Sequence, residues 1–439
     1  MNAIFFAIVL IAFLVAAVRQ VIWDGTGDAA PMDLLATAMI DSAKGSVELA
    51  LGLVGVMALF LGLMKVAEKG GLLVIIAKTV RPLMVRLFPE VPADHPAMGA
   101  IILNISANVL GLGNAATPFG IRAMQELDKL NPQKGTATNA MALFLAINTS
   151  SVTILPTGVI ALRAAAGSSD PAGIVPTTLF ATICSTAIAI TVAKLLQRHF
   201  PVRPLPPEEQ ARQDAQAEEE QAKQGDTAEA PSMEGGSEAY PTWVSMLVLG
   251  GIAAFVPLTV AYGNVIAPWI IPGLMVALLG FGVAKQVQVY EAFVEGGKEG
   301  FQVALRIIPY LVAILVAVGM FRASGALDLL IRPLGAITNL VGLPPEALPM
   351  ALLRPLSGSG AYGVMASIIE DPAVGPDSYT GYLVSTLQGS TETTFYVLAV
   401  YFGAIQVKRI RHALAAGLSA DVAGVIAAVL ICSLLYGSL

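Results

Sequence analysis

Apolar residues along this chain gather into windows of about 20, the length at which an α-helix crosses a bilayer. Clear windows lie at 3–22, 46–66, 138–162, 173–196, 242–262, 264–284, 302–320, 380–403 and 415–436. Shorter apolar pieces at 71–88, 97–112, 324–342 and 346–356 are too short, or too interrupted by Gly and Pro, to span simply. Residues 3–18 lack a basic stretch before them and a small-residue cleavage site after them, so a retained first transmembrane helix is expected rather than a secretory signal. One polar stretch, "RPLPPEEQARQDAQAEEEQAKQGDTAEAPSMEGGSEAY" at 203–240, cannot bury a core and reads as an acidic linker. It divides the chain into a first membrane half, 1–202, and a second, 241–439.

The two halves repeat one order of features. "GLMKVAEKGGLLVIIAKTVRPL" answers "VGMFRASGALDLLIRPLGAI", and "FPEVPADHPAMGAIILN" answers "LPPEALPMALLRP". A Gly-rich break follows in each, "GLGNAATPFGIRAM" and "SGSGAYGVMASII". Each half then has an apolar run interrupted by hydroxyls, "AINTSSVTILPTGVIAL" and "TLQGSTETTFYVLAVYF". Interrupted hydrophobic segments at matching positions of a duplicated chain are the signature of a secondary transporter core. The expected fold is an all-α polytopic membrane protein of two inverted-topology repeats, with re-entrant helical hairpins and broken transmembrane helices. Alternating access would come from rocking one repeat against the other.

Composition agrees. Of the 439 residues, 56% are hydrophobic and 13% charged, against about 25% charged in a soluble domain. Net charge is −6, and no basic field points to nucleic acid. Cys184 and Cys432 both lie in apolar runs, which leaves no disulfide framework. His95, His199 and His412 fall at apparent helix ends with no zinc-like spacing, so no metal site is expected.

Lys and Arg concentrate on cytoplasmic loops. With the N-terminus inside, Lys65, Lys69, Lys78, Arg81, Arg86, Arg122, Lys129, Lys134, Lys194, Arg198, Arg203, Lys285, Lys298, Lys408, Arg409 and Arg411 fall inside, together with the linker. Asp24, Asp28, Asp33, Asp41, Glu370, Asp371, Asp377 and the C-terminus fall outside. Few basic residues remain there: Arg19, Lys44, Arg163, Arg322 and Arg332. The assignment places both Gly-rich breaks at re-entrant tips that approach from opposite sides. A bacterial cytoplasmic (inner) membrane is the expected location.

Backbone without helical hydrogen bonds survives at membrane depth only inside protein or beside water. The tips at 111–118 and 357–362 and the broken helices at 148–153 and 388–394 therefore define the candidate solute site. Its residues are Asn104, Asn108, Gly111, Gly113, Asn114, Thr117, Asn148, Thr149, Ser150, Ser151, Arg354, Ser357, Ser359, Gln388, Ser390, Thr391, Glu392, Thr393 and Thr394. Glu392 carries the most weight, because a carboxylate deep in a membrane helix is costly and functional by default. It either faces a central cavity or pairs with Arg354. Arg354 either pairs with Glu392 or binds an anion directly. Asn104 and Asn108, one helical turn apart, either line the cavity or join helices. Lys65 and Glu68 read as a surface pair.

The segments "FPEVPADHPAMGAIILNISANVLGLGNAATPFGIRAM" and "FLAINTSSVTILPTGVIALR" resemble the spore maturation protein A family. "LRPLSGSGAYGVM" and "GPDSYTGYLVSTLQGSTETTFYVLAVYFGA" resemble the spore maturation protein B family, here fused through the linker. Both belong to the nucleoside-recognition, or Gate, group, which is similar to parts of concentrative nucleoside transporters and ferrous-iron transporters. The resemblance implies an envelope role, linked in spore formers to spore maturation, with a nucleoside-like or other small polar solute.

The leading expectation is a secondary transporter coupled to H⁺ or Na⁺, with no cofactor and a possible Na⁺ held by carbonyls near the breaks. The alternative is a non-transporting scaffold or sensor. An enzyme is not expected: no HExxH, GxSxG-type elbow or membrane histidine supplies a catalytic residue. The expected partners are a small-molecule solute and the lipid bilayer, with a homo-oligomer left open.

Overall fold

The computed structural model describes residues 2–25, 29–111, 113–201, 240–326, 329, 338 and 342–437. The linker lies outside the described residues except for Tyr240, as does Arg332. The described chain is all-α. Its first half holds α1 (Asn2–Val21), α2 (Pro31–Lys69), α3 (Leu72–Leu87), α4 (Pro96–Val109), α5 (Gly113–Lys129), α6 (Asn139–Thr149), α7 (Thr157–Ala165) and α8 (Ile174–Leu196). The second holds α9 (Thr242–Ala284), α10 (Val289–Ala323), a 3₁₀ turn Pro345–Ala347 running into α11 (Leu348–Leu353), then α12 (Gly358–Ile369), α13 (Tyr379–Ser390), α14 (Thr394–Gly403) and α15 (Ala413–Tyr436). Among these, α2, α8 and α15 are each long and apolar enough to cross a membrane. The protein is a polytopic membrane protein.

Both Gly-rich clusters interrupt their helices. α4 stops at Val109 and α5 starts at Gly113; α11 stops at Leu353 and α12 starts at Gly358. Gly111 has φ of +75°, and a Cβ there would strike the Leu155 carbonyl, so the first tip requires glycine. Ser357 caps α12 by accepting from Gly360 N at 3.0 Å. As expected, the windows 138–162 and 380–403 are each broken into two helices. Hydroxyl side chains that compete for backbone groups, and Pro156, unwind the chain between them.

The two broken helices run antiparallel. α6 packs on α14, and α7 on α13, so the first half of one meets the second half of the other. Their ends agree. Ala137 N, before α6, donates to Arg409 O, after α14, at 3.0 Å. Arg163, near the end of α7, donates to Pro376 O, before α13, at 2.6 Å. Elements that hold the same place in the repeated order but run oppositely make the repeats inverted.

The repeats also interlock. α2 lies antiparallel on α10, and α8 packs on α15. Glycines bring the first pair close: a Cβ at Gly300 would fall 2.7 Å from the Ala58 backbone. Rocking one repeat as a body against the other would break these contacts, the most extensive in the molecule.

The windows 242–262 and 264–284 follow one another without a gap in α9. A straight helix of that length would reach about 64 Å. Yet Tyr240 N donates to Lys78 O, and Phe281 packs on Gly70. Gly70 and Lys78 are about two helical turns apart, so the run doubles back and returns to the side where it started.

The buried apolar core has two main parts. One includes Leu53, Ile160, Leu179, Met365, Leu383 and Cys432. The other includes Met98, Met124, Phe144, Phe402 and Ala416. The broken segments fall between them, so a polar layer separates two apolar ones.

Candidate functional site

Backbone hydrogen bonds stitch that polar layer together. Glu392 N in the second break donates to Thr149 O at the first, at 2.8 Å. Ile154 N in the first break donates to Val109 O at its own hairpin tip, at 3.0 Å, and Phe395 N donates to Pro355 O at the second tip, at 3.2 Å. Groups freed by unwinding are thus paired across four segments rather than left bare.

Arg354 clamps the second hairpin to the second break. Its Nε donates to Gln388 O at 3.1 Å, one terminal nitrogen to Thr393 Oγ1 at 3.1 Å, and the other to Thr391 O. That last nitrogen lies 3.7 Å from the Glu392 carboxylate. The guanidinium is buried with its donors engaged by protein, which favours the pairing with Glu392 over direct anion binding. Glu392 itself is 56% exposed.

The remaining expected residues divide by what occupies them. Asn108 donates to Asn148 Oδ1 at 3.0 Å, and Asn104 to Tyr401 Oη at 3.3 Å and Ala116 O at 2.8 Å. They join the first hairpin to α6 and α14. Thr149, Ser150, Ser151 and Ser390 donate to carbonyls of their own helices, so their hydroxyls hold the break ends together. Thr394 donates to Asp421. Gly111 and Thr117 flank the first tip, Ser357 is buried as a cap, and Ser359 is exposed at the second tip. The side chains of Gly113 and Asn114 lie outside the described residues. Four buried oxygens near this layer have no protein partner: Asn104 Oδ1, Gln388 Oε1, Thr178 Oγ1 and Asp421 Oδ1. Each can accept a hydrogen bond from water or a solute. The expected pair of Lys65 with Glu68 exists at 3.4 Å, and Lys65 also meets Glu299 at 3.0 Å.

Sequence reasoning missed three groups. Thr178 sits on α8 against Gly389. Asp421, in the middle of α15, is a membrane carboxylate that the same rule applied to Glu392 would have singled out. Arg163, expected on the outer side, lies at the acidic end and is fully buried there. It donates to Asp170 O at 3.1 Å and Asp377 Oδ1 at 3.0 Å, and lies 4.2 Å above the Tyr382 ring. This network latches α7 to the loop before α13 at the acidic end. Burial alone would raise the Asp377 carboxyl, but hydrogen bonds from Ser168 and Ser169, and the Arg163 charge, more than offset it and hold it below its ordinary value. A carboxyl lowered on folding adds stability above its unfolded value and loses it as pH falls through the folded one. Thermal unfolding should therefore fall off in acid below about pH 4. The Asp377→Asn variant should unfold lower at neutral pH and show less of this acid dependence.

The ends of the molecule carry opposite charge. Lys194 donates to Leu87 O, Arg411 to Ala137 O, and the Lys408 and Arg409 amides to Gly135 O, which gathers these basic residues at one end. Asp170, Asp371 and Asp377 lie at the other. α15 runs from the first end, where His412 faces Phe200, to the second, where Tyr436 donates to Gly173 O.

A family model described as Gate, nucleoside recognition, matches residues 50–166 and 304–408, which include both tips and both breaks. The chain is 49% identical over 168 residues to spore maturation protein B of Bacillus subtilis (strain 168), covering 38% of this chain and 93% of that protein. It is 46% identical over 163 residues to spore maturation protein A of the same organism, covering 37% of this chain and 81% of that protein. Among solved structures, a structure of CNTnw in an outward-facing state aligns over 100% of this chain and 97% of that one, with a TM-score of 0.46 and 14% identity.

Proposed function

We propose that this chain, which belongs to the Gate nucleoside recognition family, is a secondary transporter of a small polar solute across the bacterial cytoplasmic membrane. The observation that carries the reading is the meeting of two antiparallel broken helices, break to break, beside the exposed carboxylate of Glu392. A solute would enter between the tips and the breaks. It would donate to Glu392 and to the buried acceptors Asn104 Oδ1 and Gln388 Oε1, while Arg354 keeps the second break in shape. This is a donor-seeking site, which suits the hydroxyls and amines of a nucleoside-like metabolite. A coupling cation, H⁺ or Na⁺, would balance charge during the cycle. The basic end would face the cytoplasm, following the distribution of Lys and Arg, and an envelope role would fit a chain similar to two spore maturation proteins. Chemical catalysis has no part in this reading.

One observation favours a scaffold instead: the hydroxyls of the breaks are largely satisfied within their own helices. A stabilisation screen of the purified protein against nucleosides, amino acids, cell-wall fragments and cations separates the two. A transporter is expected to gain stability with one solute class, by about 2.7 kcal/mol at a hundredfold excess over Kd. That gain should shrink to about 1.4 kcal/mol or less in Glu392→Gln. No gain with any class would favour the scaffold.

A further inference from the structure

Behind the two breaks, on the side away from Glu392, α15 presents one face made of Gly417, Asp421 and Gly424. Gly417 packs on Thr149 and Thr394, and Gly424 on Thr391 and Ser185. Asp421 lies between them and is 5% exposed. Its Oδ2 accepts from Thr394 Oγ1 at 2.7 Å, while its Oδ1 has no hydrogen-bond partner. An ionised carboxylate held at membrane depth by one hydroxyl is far from satisfied.

The charge that acts on Asp421 is Arg354, and the same guanidinium attracts Glu392. Two carboxylates therefore compete for one cation. The other elements around Asp421 contribute no further ionised group at this level. Among the described residues, α6 has no titratable side chain, α8 offers the thiol of Cys184 with Lys194 about three turns beyond it at the basic end, α14 the phenols of Tyr396 and Tyr401, and α13 those of Tyr379 and Tyr382. On α15 itself, Cys432 lies about three turns away toward the acidic end, and His412 precedes the helix.

We propose that Asp421 is the proton-binding site of this protein, and that Arg354 couples its proton to the occupancy of Glu392. While Glu392 holds Arg354, Asp421 carries a proton. When a donor group on the solute engages Glu392, the charge of the clamped Arg354 acts on Asp421 alone, whose O–H bond breaks as its proton passes to a water molecule. Returning the solute reverses the step, with a proton taken from water to re-form the acid. The assignment rests on the transport reading above for its purpose, but the proton itself is observable without transport.

Infrared spectra of the full chain in lipid vesicles test it. At neutral pH the wild type should show a protonated-carboxyl band that is absent in Asp421→Asn. Glu392→Gln, which leaves Arg354 to Asp421 alone, should weaken that band severalfold at the same pH. Thr394→Val, which removes the hydroxyl that supports the ionised form, should strengthen it. If Asp421→Asn does not assemble, the opposite responses of the other two variants still decide the matter. A band unchanged by all three, or none in the wild type, overturns the proposal. If the band behaves as expected but no solute stabilises the protein, the transport reading fails and the proton site stands.

Discussion

Replacing Arg354 with alanine should remove about 3–5 kcal/mol of stability, the range for breaking a buried charge network by deleting one partner. The guanidinium holds Gln388 O, Thr391 O and Thr393 Oγ1 at once. Its loss leaves two carbonyls of an unwound segment without donors in a layer bounded by apolar packing. Against a typical total of about 5–15 kcal/mol, that is a large share. Lysine should not rescue it, because an ammonium cannot span three acceptors with the planar fork. Thermal unfolding in lipid-like detergent measures the change. A shift within the scatter of surface substitutions would mean that Arg354 is not the clamp described.

The second large effect concerns transport rather than stability. Glu392→Gln keeps the shape of the side chain and its neighbours, so the protein should still assemble. It loses a charged acceptor, and a hydrogen bond to a charged group contributes about 1.5–3 kcal/mol. Solute affinity, and uptake at low solute concentration, should fall about 10–150-fold. Uptake into vesicles loaded with the solute class found by the screen would check it. A scaffold would be indifferent to the change.

Much of this architecture could be read from residues. Gly111 and the "SGSG" run mark both tips because only flexible backbone reverses there, and "NTSSVT" and "QGSTETT" mark both breaks because clustered hydroxyls compete for backbone groups. Charge placed Glu370, Asp371 and Asp377 at the end opposite Lys408, Arg409 and Arg411, as the structure does. What remained hidden depends on contacts between distant segments. No local pattern says that Ser150 and Ser151 turn back onto α6, or that Arg354 spends its donors on carbonyls from 388 to 391. The interlocking of the repeats depends on α2 meeting α10, more than 200 residues apart. The burial of Arg163 was not legible because its partners, Asp170 and Asp377, come from different halves. Asp421 was legible and overlooked.

The central claim is that the crossing of the two breaks opens to water. It is tested most directly by introducing Glu392→Cys into a chain without Cys184 and Cys432, in sealed vesicles. A thiol reacts only as thiolate, which forms in water and not among acyl chains. A membrane-impermeant thiol reagent should modify position 392 from one side, and the solute that stabilises the protein should slow the reaction. No modification from either side, while the exposed tip variant Ser359→Cys reacts, would contradict the account.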